Sequence, residues 1–226
     1  MNDNVAIIIP VYNEANVIAG VINDLKKKFK YVVCVDDGSK DGSKVEISKS
    51  GSYLVEHPIN MGQGAALQTG IEFARGLPVD YFVTFDADGQ HRIKDAEAML
   101  KELAKGKYDV ILGSRFLGDS IGMKISKKII LKMAIKFSNI TSGLKLTDTH
   151  NGLRAFNRIF AEGIQITLPD MAHASEILEI IAEKKYRYLE MPVTIEYTKY
   201  SMEKGQSMIN AINIGVDTIL RKFSKW

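Results

Sequence analysis

The sequence predicts an α/β protein: a mostly parallel, doubly wound central sheet with helices on both faces. Three observations carry that expectation. Short β-branched runs alternate with helical patterns through the first half of the chain. Polar and acidic residues collect where those runs end, the place where open α/β sheets bind ligands. With 226 residues, 46% hydrophobic and 25% charged, the chain can bury one sizeable core, which excludes disordered, collagenous and disulfide-stapled classes.

Taken in order, Val5 to Pro10 reads as the first strand, and Asn13 is placed to cap a helix over Glu14 to Lys28. Tyr31 to Asp36 is a second strand, with the single cysteine, Cys34, set among valines as a small buried hydrophobe. Tyr53 to His57 follows as a third strand, and Gly62 opens a helix that reaches about Arg75. Tyr81 to Asp86 and Asp109 to Gly113 are strands around a helix that starts at Asp95 and ends on the C-cap glycine Gly106. The second half is less regular. A basic amphipathic stretch runs to about Ile140, and a loop spans Thr147 to Gly152. A helix covers Ala174 to Lys184, Arg187 to Tyr197 is extended, and the chain ends in a helix.

A net charge of +3 is too mild for a protein whose main partner is nucleic acid. Asp3 and Pro10 interrupt any leader-like apolar start, so secretion is not expected. The longest run free of charged residues, His57 to Ile71, is 15 residues long and too short and polar to span a bilayer. Four dispersed histidines, His57, His91, His150 and His173, show no zinc spacing.

The strand ends carry the chemistry. Asp86 and Asp88 flank one small residue, with Gln90 two residues on, an oxygen set suited to Mg²⁺ or Mn²⁺ and substrate phosphates. Asp36 and Asp37 would place one carboxylate in the strand-end network and the other over the crevice, toward a nucleobase or ribose. Gly62 and Gly64 at a helix N-terminus permit close approach of a diphosphate or sugar.

Six ordered segments then resemble the family-2 glycosyltransferases of the GT-A fold, and among them the polyprenyl-phosphate glycosyltransferases related to dolichyl-phosphate mannose synthase. They are Ile9-Pro10-Val11-Tyr12-Asn13-Glu14, Val35-Asp36-Asp37-Gly38-Ser39, Asn60-Met61-Gly62-Gln63-Gly64, Asp86-Ala87-Asp88-Gly89-Gln90-His91, Gly113-Ser114-Arg115-Phe116 and Asp148-Thr149-His150-Asn151-Gly152-Leu153-Arg154. The resemblance implies that Pro10, Tyr12, Glu14 and Asp37 hold the base and ribose of a nucleotide-sugar donor, and that Asp86, Asp88 and Gln90 hold the metal. Arg115 and Arg154 would face the acceptor, with Lys199 and Lys204 assisting before Gly205-Gln206-Ser207-Met208, where relatives carry an arginine. Thr149-His150-Asn151-Gly152-Leu153-Arg154 also departs from the Thr-Ser-Gly-Phe-Arg of many relatives.

The expected enzyme is an inverting, metal-dependent glycosyltransferase. It would move a glucose-, N-acetylglucosamine- or mannose-type sugar from a nucleotide diphosphate, UDP being favoured, to a polyprenyl phosphate such as undecaprenyl phosphate, for cell-envelope glycans. A lipid monophosphate is already ionised near neutral pH and mainly needs cations to position it. A saccharide hydroxyl as acceptor would need a base, Asp148 or Glu176. A non-catalytic nucleotide-sugar-binding subunit is the alternative from another class. Residues 1–205 would form the GT-A domain, with a nucleotide-binding half to about 115 and an acceptor half from about 116, and residues 206–226 an appended amphipathic helix. The stretch Met123 to Ile140 and the C-terminal stripe ending in Trp226 are both basic and amphipathic, as expected of helices lying on an anionic membrane. The chain is accordingly expected in the cytoplasm, peripheral on the inner face of the cell membrane, with a homo-oligomer or small membrane protein as a further partner.

Overall fold

The computed structural model describes residues 2–169, 172–197 and 200. Within them, seven strands form one sheet: β1 (Asn2–Val11), β2 (Phe29–Asp36), β3 (Tyr53–Glu56), β4 (Tyr81–Thr84), β5 (Val110–Ile121), β6 (Arg154–Asn157) and β7 (Tyr188–Glu196). Their order is β3-β2-β1-β4-β6-β5-β7. Only β6 runs against its neighbours, pairing antiparallel with both β4 and β5. The helices are α1 (Ile18–Lys26), α2 (Ser43–Ser50), α3 (Gln63–Arg75), α4 (Ile93–Leu103), α5 (Ile125–Ser142), α6 (Arg158–Gly163) and α7 (Ala172–Glu183).

The period of two along β1 explains the two cores. Ile7, Ile9 and Val11 join a cluster with Ile18, Ile22 and Leu25 of α1 and Met99 of α4. Ala6 and Ile8 face Leu67 and Ile71 of α3 and Ile177 and Leu178 of α7 on the other side. A strand buried on both faces reads as continuous apolar sequence, as β1 does. Cys34 lies in the first cluster, and burial pushes its thiol up to about 12, so it is inert.

Several elements depart from the sequence reading. Asn13 does not cap α1, which starts five residues later, at Ile18. Asn13 sits at φ 55°, its amide donates to Ser39 Oγ at 2.9 Å, and its Oδ1 accepts from the Lys40 amide at 2.8 Å, tying the β1 loop to the β2 loop. The helix expected from Asp95 to Gly106 is α4, which starts two residues earlier, at Ile93, and ends at Leu103. Already inside the first turn, Asp95 accepts from the Thr194 amide at 2.7 Å and holds β7. The strand expected to stop at Gly113 continues to Ile121, because Gly113 and Gly118 let β5 press against Leu153 and Val193 where any Cβ would collide. β6, α2 and α6 were not expected from the sequence. β6 and α6 are too short to show a period, and α2 buries only Ser43 and Ile47. Lys199, Lys204 and the helix expected over 206–226 lie outside the described residues.

Far from the strand-end crevice, Asp109 clasps three strands. It accepts from the Arg187 backbone amide at 2.9 Å, from Arg187 Nη2 at 2.7 Å and from Asn157 Nδ2 at 3.1 Å. The Arg187 hydrogen bonds hold its carboxyl down at about 2. With Arg187 half exposed and partly screened, Asp109→Asn is expected to cost about 1–2 kcal/mol at neutral pH. A carboxyl with a lowered folded pKa contributes fully above its unfolded value and loses that contribution as pH falls through the folded one. The difference between variant and wild type in urea denaturation should therefore shrink between about pH 4 and about pH 2.

Candidate active site

The carboxyl ends of β1, β2 and β4 open into a crevice of about 620 Å³, closed on its far side by α5, the 150–154 segment and β7. Pro10, Tyr12, Glu14, Asp37, Gly62, Asp86, Asp88, Gln90, Arg115 and Arg154 all line it. Ten residues picked from separate motifs therefore share one cavity.

Its acidic end is built just past β4. Asp86 Oδ2 lies 2.8 Å from His91 Nε2, and Thr84 Oγ1 donates to the Gly152 carbonyl at 2.6 Å, holding Gly152 against the Asp86 carboxylate with no room for a Cβ. Burial works to raise the pKa of Asp86, but the charges of His91, Arg154 and His173 outweigh it and hold the carboxyl below the usual range. Asp88 is the opposite case. Burial, and then the charge of Asp86, push it up to about 6. The carboxylate oxygens of Asp86 and Asp88 are of the kind a divalent cation binds, and Gln90 stands beside them with a further oxygen. The Gln90 amide nitrogen donates to Asp88 Oδ2 at 2.7 Å, so presenting its oxygen to a metal needs a rotation of the amide. Among the described residues no three His, Cys, Asp or Glu side chains gather into a group that could hold a metal ion.

The side of the crevice at the ends of β1 and β2 is organised by Asp37. The carboxylate receives the Met61 amide at 2.9 Å and the Gly62 amide at 2.8 Å, and His57 Nδ1 lies 2.7 Å from it. Asp37 thus shapes the loop that enters α3 as well as lining the crevice. Gly62, at φ 93°, needs glycine for that entry. Gly64 is a correction: it does not line the crevice, and it packs against the Leu168 carbonyl and His173, so close packing explains its identity. Tyr12 and Asn60 also border a second cavity of about 550 Å³ reaching Asp36, Gly38 and Ile59. Tyr200 donates to Glu14 Oε2 at 2.7 Å at the rim.

Where the acceptor was expected, two expectations change. Each nitrogen of the Arg115 guanidinium has a protein partner: Nε donates to Asp148 Oδ2 at 2.6 Å, Nη1 to Tyr197 Oη at 2.9 Å and Nη2 to the His150 carbonyl at 2.9 Å. Asp148 also accepts the Arg115 backbone amide at 3.0 Å and does not line the crevice. Both belong to a buried ion pair that positions the 147–152 loop, and Asp148 is not placed to act as a base. Glu176 is likewise occupied, accepting the Thr167 amide at 3.0 Å and the Leu168 amide at 2.8 Å. Arg154 differs. Completely buried, it keeps Nη1 without a hydrogen-bond partner, and desolvation lowers it only to about 10, so it is charged at neutral pH. Burial pushes His150 down to about 4, so its imidazole is neutral there.

Lys127 and His173 also line the crevice and were missed as site residues. Lys127 lies 4.5 Å from the Tyr197 ring centre, its pKa lowered by burial and by Arg115, with Asp88 opposing. One signal was present: Lys127 shares helical spacing with Ile130, Leu131 and Ala134, which form an apolar wall of the same crevice. Three lysines at the α5 N-terminus, Lys124, Lys127 and Lys128, with no acid in the first turn, oppose the helix dipole.

The family model of glycosyl transferase family 2 matches residues 6–164. The chain belongs to this family. This family-2 glycosyltransferase is 34% identical over 226 residues to an uncharacterized protein of Methanocaldococcus jannaschii, covering 97% of this chain and 93% of the relative. It is 30% identical over 243 residues to the UDP-N-acetylglucosamine–dolichyl-phosphate N-acetylglucosaminyltransferase of Methanococcus voltae, covering 97% and 96% of the two chains. Its fold matches glucosyl-3-phosphoglycerate synthase of Mycobacterium tuberculosis, crystallised with Mn²⁺, UDP and glucosyl-3-phosphoglycerate. The TM-score is 0.74 at 13% identity, over 98% of this chain and 79% of that one. The mostly parallel sheet is the GT-A fold.

Proposed function

We propose that this glycosyltransferase is inverting and metal-dependent, and moves a hexose-type sugar from UDP to a polyprenyl monophosphate at the inner face of the cell membrane. One observation carries the reading. The crevice joins an acidic pair, Asp86 and Asp88, with Arg154 beside Asp86, to a cationic and apolar wall of α5 and the residues before it, Lys124 and Lys127 with Met123, Ile130, Leu131 and Ala134. Phosphate plus hydrocarbon is the chemistry of a lipid phosphate, and the relative from Methanococcus voltae is named for UDP and dolichyl phosphate.

In this reading Asp86, Asp88 and Gln90 would hold Mg²⁺ or Mn²⁺, which when bound offsets charge on the departing diphosphate. Tyr12, Glu14 and Asp37 orient the nucleoside. Arg154 Nη1 and Lys127 hold the acceptor phosphate, whose oxygen attacks the anomeric carbon from the face opposite the diphosphate. Such an oxygen needs no base. A saccharide hydroxyl would need one, and the two carboxylates expected for that role, Asp148 and Glu176, are occupied by Arg115 and by the Thr167 and Leu168 amides.

The test is transfer of label from UDP- and GDP-sugars into the organic phase with polyprenyl phosphate and Mn²⁺ or Mg²⁺. Label should enter the lipid from a UDP-sugar, stop with EDTA, and show in Lys127→Ala an acceptor KM raised about tenfold or more with the donor KM unchanged. Label that stays in water with every donor overturns the reading.

A further inference from the structure

We infer that His57 is a positioning residue of the nucleotide site: pinned by Thr69, it sets the Asp37 carboxylate so that one oxygen stays open to a hydrogen-bond donor of the nucleoside. This role deepens the proposed function and rests on it for the part played by Asp37.

The transfer chemistry leaves His57 without a task, yet its side chain is only 7% exposed and both ring nitrogens are bonded. Asp37 follows β2, His57 follows β3, and Thr69 lies on α3. His57 Nδ1 is 2.7 Å from Asp37 Oδ1, and Nε2 is 2.9 Å from Thr69 Oγ1. A carboxylate only accepts, so Nδ1 carries a proton, and a ring with one proton takes the Thr69 hydroxyl hydrogen at Nε2. The chain of donors runs one way, from Thr69 through His57 to Asp37.

Counting acceptor places shows what this leaves. Oδ1 of Asp37 receives His57 and the Met61 amide at 2.9 Å, whereas Oδ2 receives the Gly62 amide alone, at 2.8 Å. Each carboxylate oxygen can take about two hydrogen bonds. Among the described residues Oδ1 is therefore filled and Oδ2 keeps one place. Because Asp37 lines the crevice, that place suits an O–H or N–H of a bound nucleoside.

The two amides alone would fix the carboxylate poorly. Both come from one segment, in which Pro58, Ile59, Asn60 and Met61 are exposed. A carboxylate tied only to a surface loop moves with it. His57 ties Asp37 to a firmer body: its own amide donates to the Asp36 carbonyl at 2.9 Å, and Thr69 shares α3 with the core residues Leu67 and Ile71. An acceptor fixed before the ligand arrives loses less on binding.

The experiment is calorimetric titration of the full chain with UDP and Mn²⁺, for wild type, His57→Phe, His57→Asn and Thr69→Val, with transfer kinetics and a long-range ¹H–¹⁵N spectrum of the wild-type histidines. His57→Phe should raise the Kd for UDP and the donor KM about tenfold or more, with kcat at saturating donor within about twofold. Asparagine puts an N–H where Nδ1–H stood, so His57→Asn should return Kd to within about threefold of wild type. The spectrum should show a proton on His57 Nδ1. The positioning role is overturned if His57→Phe lowers the melting temperature but binds UDP as wild type does, if asparagine and phenylalanine weaken binding equally, or if Nδ1 bears no proton. Should His57→Phe not fold, Thr69→Val decides, since it removes only the hydroxyl: a Kd raised about threefold supports the role, and an unchanged Kd overturns it. Wild type that binds no UDP overturns the donor assignment, and the role of His57 falls with it; wild type that binds UDP no better than His57→Phe does overturns the role alone.

Discussion

Asp88→Asn is expected to abolish sugar transfer while leaving the metal-free chain more stable than wild type. The carboxyl of Asp88 is pushed up to about 6 by burial and by Asp86, against an ordinary value of 3.8. A carboxyl with a raised folded pKa weakens the fold once ionised. That cost should grow as pH rises from about 4 to about 6 and stay constant above, reaching roughly 2–3 kcal/mol. Asparagine keeps the shape and removes the charge. In EDTA, urea denaturation at pH 7 should show the variant gaining most of that amount, with the gain gone below about pH 4. Transfer should fall by a factor of about 10² to 10³, because the charge that builds on a departing diphosphate would no longer be offset. Added Mn²⁺ with UDP should raise the melting temperature of wild type and not of the variant. A variant that transfers normally would remove Asp88 from the reaction, and one destabilised in EDTA would contradict the electrostatics of the pair.

Arg115→Met is expected to have the largest effect on stability of any substitution in the crevice wall. The Asp148 side chain is fully buried, and Arg115 is the cation at 2.6 Å from it. Removing one member of a buried ion pair strands the other, at a cost of about 3–5 kcal/mol. The same guanidinium also holds Tyr197 and the His150 carbonyl, so the 147–152 loop and the ring beneath Lys127 would loosen together. Adding Asp148→Asn to Arg115→Met should recover much of the loss, since no charge is then left stranded, and a double-mutant cycle in urea would measure the coupling. The outcome separates two roles. A variant that melts with wild type but fails to transfer would mean that Arg115 acts on the acceptor itself.

The parts of the site legible in the sequence were those in which one short segment carries both the structure and the chemistry. Asp86-Ala87-Asp88 follows an apolar strand, so alternation and strand end together place both carboxylates. Gly62 before a helical pattern was readable for the same reason. Roles that depend on a distant partner were not. Both arginines carry the same charge, and only their neighbours, Asp148 for Arg115 and Asp86 with no hydrogen-bond partner at Nη1 for Arg154, make the first a brace and leave the second a group facing the acid pair. Gly64 was expected near a ligand, and its identity is set by the carbonyl of Leu168, a hundred residues on. Lys127 was hidden in a stretch where five lysines look alike until the helix is given a direction.

The sequence alone determined the α/β class, the parallel core of β1, β2, β3 and β4, and the segments that converge on one crevice. Apolar periodicity and strand-end polarity are local properties of the chain. Tertiary structure decided where β6 inserts between β4 and β5, which of two arginines is spent on an ion pair, and which face of α5 turns outward. Those outcomes depend on charge pairing and packing between residues far apart in the chain, and no local pattern encodes the partner.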